Sequence, residues 1–184
     1  MSRAAVSVVT GIHRTRARLV RRVVLAQEEF KQDILSFLRT TSLSNLLTTP
    51  IIYSVAVPLA LLDLWITLYQ WVCFPIYGIA RVHRAAYFAI DRHRLAYLNA
   101  IEKANCMYCS YANGVIAYVR EVAARTEHYW CPIKHARRVR GAHAHYHRFF
   151  EYGDARGYRR GLPAARRILR DAPRRRSGQA AALR

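Results

Sequence analysis

Acidic residues are scarce. The 184-residue chain holds 11 Asp and Glu against 30 Lys and Arg, a formal charge of +19. Such a balance calls for anionic partners: lipid headgroups, nucleic acid or an acidic protein face. Residues 46–80 lack Lys and Arg altogether and hold one acid, Asp63. This charge-poor block lies between flanks of net +5 (1–45) and +15 (81–184), the layout of a membrane segment with polybasic borders. Cysteine is confined to Cys73, Cys106, Cys109 and Cys131, too few for a dense disulfide framework. An early apolar run with a small-residue cleavage site is missing, so no secretory signal peptide is expected. The first 27 residues lack acids and carry Arg, Ser and Thr, a composition that also fits an organellar transit peptide. Against that, the helical pattern runs on into QEEFKQD. The chain has no phosphate-cradling glycine loop, nucleophile elbow or paired-carboxylate site, which argues against an enzyme without excluding one. It has no C-x-x-C-H for covalent haem. The charge permits nucleic-acid binding, but no recognition helix or zinc-finger spacing supports it.

What is present is helical patterning. Residues 1–45 form a basic amphipathic segment. Within 5–39, Val9, Ile12, Leu19, Val23, Phe30, Ile34, Phe37 and Leu38 recur at helical spacing. Arg14, Arg16, Arg18, Arg21 and Arg22 crowd the remaining face. Such a helix lies in a membrane interface with its arginines on anionic headgroups, or packs on a soluble core. The block 46–80 is too long for one bilayer crossing and short for two. Ile51–Val72 alone would span, with Pro58 kinking it and Trp65, Tyr69, Trp71 and Tyr77 suited to a membrane boundary. Both flanks are basic, Arg81 and Arg84 included, which favours a hairpin bent near Pro58 or Asp63 slightly over a single span. Asp63 inside such a block is a functional candidate; the plainer reading is a hydrated acid at the bend or a helix cap.

Residues 81–152 contain the candidate chemistry. The stretch 82–128 reads as helix, with a seam at Leu98, Ile101, Asn105, Tyr108, Ala112, Val115, Val119 and Val122 stepping by three and four. Asn105 is the polar member of that seam, and Asn113-Gly114 is a possible hinge. Cys106, Cys109, Cys131 and His135 make a C-x2-C…C-x3-H set, the ligand types used by zinc and Fe–S clusters. An unbroken helix over 115–128 would hold the two halves about 21 Å apart, so one intramolecular site requires a break there; an antiparallel dimer is the other route. The plainer reading makes the cysteines packing residues. A redox dithiol is disfavoured by the lack of a preceding strand. His143, His145 and His147 could bind a metal or simply be solvated. Glu121 and Glu127 read as surface partners of Arg120 and Arg125. Residues 153–184 are expected to be a basic, flexible tail, with a short helix at Ala164–Arg170 forming on an anionic surface.

The stretch YCSYANG…VREVAARTEHYWCPIKHA, within Asn105–His135, resembles an uncharacterised group of bacterial membrane-associated proteins. The resemblance covers about a fifth of the chain. It implies a bacterial inner membrane and brings no activity, cofactor or fold.

The sequence therefore predicts an all-α protein held on the cytoplasmic face of a membrane by one apolar hairpin or span. The first functional expectation is a scaffold or accessory subunit that binds anionic lipid and a partner protein, either another membrane protein or a second copy. The second is a membrane metal protein, with Zn or Fe–S at the Cys/His set, serving assembly or electron transfer.

Overall fold

The computed structural model describes residues 25–171. The arginines Arg14, Arg16, Arg18, Arg21 and Arg22, with most of the expected interfacial helix, lie outside the described residues. The fold is helical, with no strand among the described residues. Five helices are named here: α1 (Ile34–Thr40), α2 (Leu43–Ser54), α3 (Ala56–Tyr77), α4 (Ala100–Trp130) and α5 (Ala155–Asp171). The chain forms two compact units. Among the described residues, one combines 25–52 with Ile90–Cys109; the other combines Tyr53–Ala89 with 110–171.

In the first unit, the Asp33 side chain accepts the Leu35 N–H to start α1, and Ser42 accepts the Ser44 N–H to start α2. Tyr108 donates its hydroxyl to the Ile52 carbonyl at 2.7 Å.

The second unit is built on α3. The expected bend at Pro58 or Asp63 is not found: α3 runs uninterrupted through both. Pro58 sits in the first turn, where a helix has backbone N–H groups without intrahelical partners, so its missing donor costs little there. At the other end Gly78 adopts φ 68° and returns its N–H to Pro75 and Phe74, a left-handed cap that suits glycine. The run Leu43–Tyr77 is long and apolar enough to cross a membrane.

The long helix expected over 82–128 begins later. Arg81–Asn99 is irregular, with single 3-10 turns at Arg84–Tyr87 and Arg92–Arg94. Asn99 then starts α4 with a reciprocal cap: it accepts the Glu102 N–H at 2.9 Å, and Glu102 accepts the Asn99 N–H at 2.8 Å. Once started, α4 does not hinge at Asn113-Gly114. Gly114 is buried in the helix, and a Cβ there would meet the Phe88 ring at 2.8 Å and the Tyr87 carbonyl at 3.0 Å. The glycine is a packing notch for the returning chain.

Contacts between α3 and α4 rise together in sequence: Asp63 with Tyr111, Thr67 with Tyr118, Tyr69 with Thr126, Tyr77 with Trp130. The two helices therefore run parallel. The core of this unit is Phe74, Ile79, Val82, Tyr118, Val122 and Leu169. Leu169 belongs to α5, so the expectation of a flexible tail fails over 155–171. Asp154 accepts the Gly157 N–H at 2.8 Å to cap α5, and the Ala80 N–H donates to the Leu169 carbonyl.

Candidate functional site

The surface of α3 is inverted relative to a helix of a water-soluble protein. Every exposed position from Val55 to Ile76 is apolar. Trp65 is 71% exposed, Ile76 74% and Leu64 66%, while Asp63 is 7% and Gln70 6% exposed. The polar residues Asp63, Thr67 and Gln70 recur at four and three residues, so one stripe of the helix carries them. That stripe faces α4 and the returning segment.

Each polar group on the stripe has a partner. The Arg84 guanidinium clamps Asp63 with two bonds, Nε to Oδ1 at 2.9 Å and Nη2 to Oδ2 at 2.5 Å. The Tyr111 hydroxyl donates to Oδ2 at 3.1 Å. Gln70 pairs with the backbone of Val82, accepting its N–H at 2.9 Å and donating to its carbonyl at 3.2 Å. Gln70 also reaches the Tyr118 hydroxyl at 2.5 Å, and Thr67 lies 3.2 Å from that hydroxyl. The Val82 backbone is thus satisfied by a side chain of α3 instead of a helical ladder. Arg84, read from sequence as a headgroup residue, is paired with Asp63 and remains partly exposed. Arg81 remains exposed.

A second cluster lies at the end of α4. The chain from Cys131 to Phe150 folds back on it. Its base is closed by Lys134 N–H to Phe150 C=O and Phe150 N–H to Pro132 C=O, both at 2.8 Å. His143 Nε2 is 2.8 Å from Glu127 Oε2, and His145 Nε2 is 3.4 Å from Glu121 Oε1. The other His145 nitrogen is 3.2 Å from Nδ1 of the fully buried His128, whose Nε2 has no partner. Burial, with the nearby His145, Arg148 and His143, brings His128 down to about 4. Burial alone would raise the Glu121 carboxyl. Bonds from His145 and Arg125 outweigh that and hold it at about 2. Glu121 keeps its expected helical pairing with Arg125 at 2.8 Å, whereas Glu127 pairs with His143 and Arg120 donates to the Gly141 carbonyl. His147 stays exposed beside Arg148. His128 carried no spacing signal of its own in the sequence.

Two of the four expected metal ligands lie on one unbroken helix, and the other two follow it. Cys106 and Cys109 are on α4, and Cys131 follows its last residue. The helix rises about 33 Å between Cys109 and Cys131 at 1.5 Å per residue. None of the four cysteines is paired in a disulfide. The His135 ring stacks on Tyr146, and its N–H donates to the Tyr146 hydroxyl at 2.8 Å. Among the described residues, no group of three or more His, Cys, Asp or Glu is placed to hold a metal. Asn105 is exposed rather than buried in a seam, and Tyr118 takes the core place expected for Val119. A tyrosine can be buried there because Gln70 and Thr67 meet its hydroxyl.

No family model, curated protein or solved structure matches the chain.

Proposed function

We propose that the chain is a membrane-anchored accessory subunit or scaffold, embedded through the apolar face of α3 and binding anionic lipid and a partner protein. One observation carries this reading: between Val55 and Ile76 every exposed side chain is apolar, while the acid, amide and hydroxyl are turned inward. Water would favour the reverse arrangement, and hydrocarbon favours this one. The basic flanks suit anionic headgroups and a cytoplasmic side, in keeping with the resemblance to bacterial membrane-associated proteins.

The partner reading rests on α4. If α3 crosses the bilayer, the parallel α4 comes to similar depth with Arg120 exposed on it. A charge held there costs about 2.5–3.5 kcal/mol on insertion scales. A second protein covering that flank removes the cost. Within the chain, Val115 and Val122 of the expected seam are already buried, so the partner surface we propose is the flank bearing Arg120.

The test is Leu61→Arg with Leu64→Arg, both on the exposed face. Each arginine costs about 2.5–3.5 kcal/mol at the bilayer centre. The double variant should leave the membrane fraction. Retention of the variant in membranes after a high-salt wash would remove α3 as the anchor.

A further inference from the structure

α5 carries six arginines, Arg156, Arg159, Arg160, Arg166, Arg167 and Arg170. At 3.6 residues per turn they fall within about a third of the helix circumference. The opposite face holds the buried Ala165 and Leu169. The helix is therefore docked by its small and apolar side and presents an arginine face outward. Two arginines anchor it: Arg166 Nε donates to the Tyr129 carbonyl at 3.0 Å with its guanidinium over the Tyr129 ring, and the Arg170 side chain lies against Gly78. Arg156, Arg159, Arg160 and Arg167 are exposed, and no described carboxylate forms an ion pair with them.

The position of this face matters. Gly78 ends α3, and around that end lie Tyr77, Tyr129 and Trp130 in mutual ring contact at 5.2–5.3 Å. Tyr158 of α5 reaches the Trp130 carbonyl. Amphipathic aromatics at the end of an apolar helix mark the headgroup level of a bilayer. A row of guanidinium groups beside them meets phosphodiester headgroups bidentately.

We propose that α5 is a docking surface for the anionic phospholipids of a bilayer, seated at the headgroup level beside the C-terminal end of α3. This rests on α3 being membrane-embedded, and it assigns the lipid contact to a helix inside the fold rather than to the N-terminal arginines.

The experiment uses the full chain, exchanged from detergent and floated with vesicles of phosphatidylcholine alone or mixed with phosphatidylglycerol. Wild type is compared with Arg159→Gln/Arg160→Gln/Arg167→Gln, which spares both anchoring arginines. A second triple, Arg39→Gln/Arg92→Gln/Arg94→Gln, loses the same charge from other elements. Each arginine near an anionic surface is worth roughly fivefold in partitioning. The α5 variant should therefore lose about a hundredfold on mixed vesicles, with unchanged binding to neutral ones and unchanged helicity. The control triple should lose much less. Equal losses in the two triples, or none in the α5 variant, overturn the proposal. So does displacement from mixed vesicles by inorganic phosphate, which would make the site one for a free anion, or by duplex DNA, which would make it a nucleic-acid surface. Failure of wild type to bind either vesicle would instead overturn the embedding of α3, and the inference with it.

Discussion

Asp63 is the only acid between Leu46 and Ala80, and its charge is met by Arg84 and Tyr111. The position of Asp63 was readable as an anomaly in an apolar run. Its partner was not, because Arg84 lies 21 residues on and reaches it only through the return of the chain after α3. Removing one member strands the other. Arg84 is 44% exposed at its side chain and Asp63 10%, so the cost lies between surface and buried pairs, about 2 kcal/mol. Asp63→Leu and Arg84→Leu should each lower the thermal midpoint in detergent, and the double variant should recover part of the loss. Strict additivity of the two would show that the pair does not act as a unit. Gly114 gives a second test at this scale. Gly114→Leu should cost about 1–3 kcal/mol by overpacking against Phe88, despite leucine's better helix propensity. A neutral or stabilising effect would mean that the segment carrying Phe88 does not pack there.

At the level of elements, helix was legible wherever periodicity was strong, and boundaries were set by caps. The N-x-x-E of Asn99 and Glu102 was present in the sequence as a start signal, yet the apolar pattern upstream masked it. Asn99→Ala should cost about 1 kcal/mol and fray the start of α4, seen as faster amide exchange at residues 100–104; unchanged exchange would deny the cap. α5 was hidden by its arginines: a sequence poor in apolar residues reads as disorder, but a helix needs only one packed face, and Ala165 with Leu169 supplies it. The 131–150 loop depends on contacts distant in sequence, and its central His128 is invisible until the loop folds back. That loop has a pH signature. His128 sits at about 4 in the fold against 6.5 ordinarily, so the opened state takes up the proton first. Stability is then complete above about pH 6.5 and falls as pH drops toward 4. Thermal midpoints should fall in that window for wild type and stay level there for His128→Phe. An equal fall in the variant would contradict the assignment.

For the molecule as a whole, the charge map located the apolar block but not which face of it turns outward. That depends on α4 and the returning segment covering Asp63, Thr67 and Gln70, a tertiary arrangement no local pattern encodes. The Cys/His set shows the converse: its spacing suggests one compact group, yet within a single chain the continuous α4 lies between Cys109 and Cys131. The central claim is that the exposed face of α3 contacts hydrocarbon, and two of the chain's three tryptophans report on it directly. Trp65 and Trp71 are 71% and 64% exposed on α3, and the third is Trp130. The most direct measurement is fluorescence quenching of the Trp130→Phe protein in vesicles whose acyl chains carry bromine. The account predicts strong quenching by the brominated chains and little by aqueous iodide. Quenching by iodide with no response to the brominated chains would place α3 in water and contradict it.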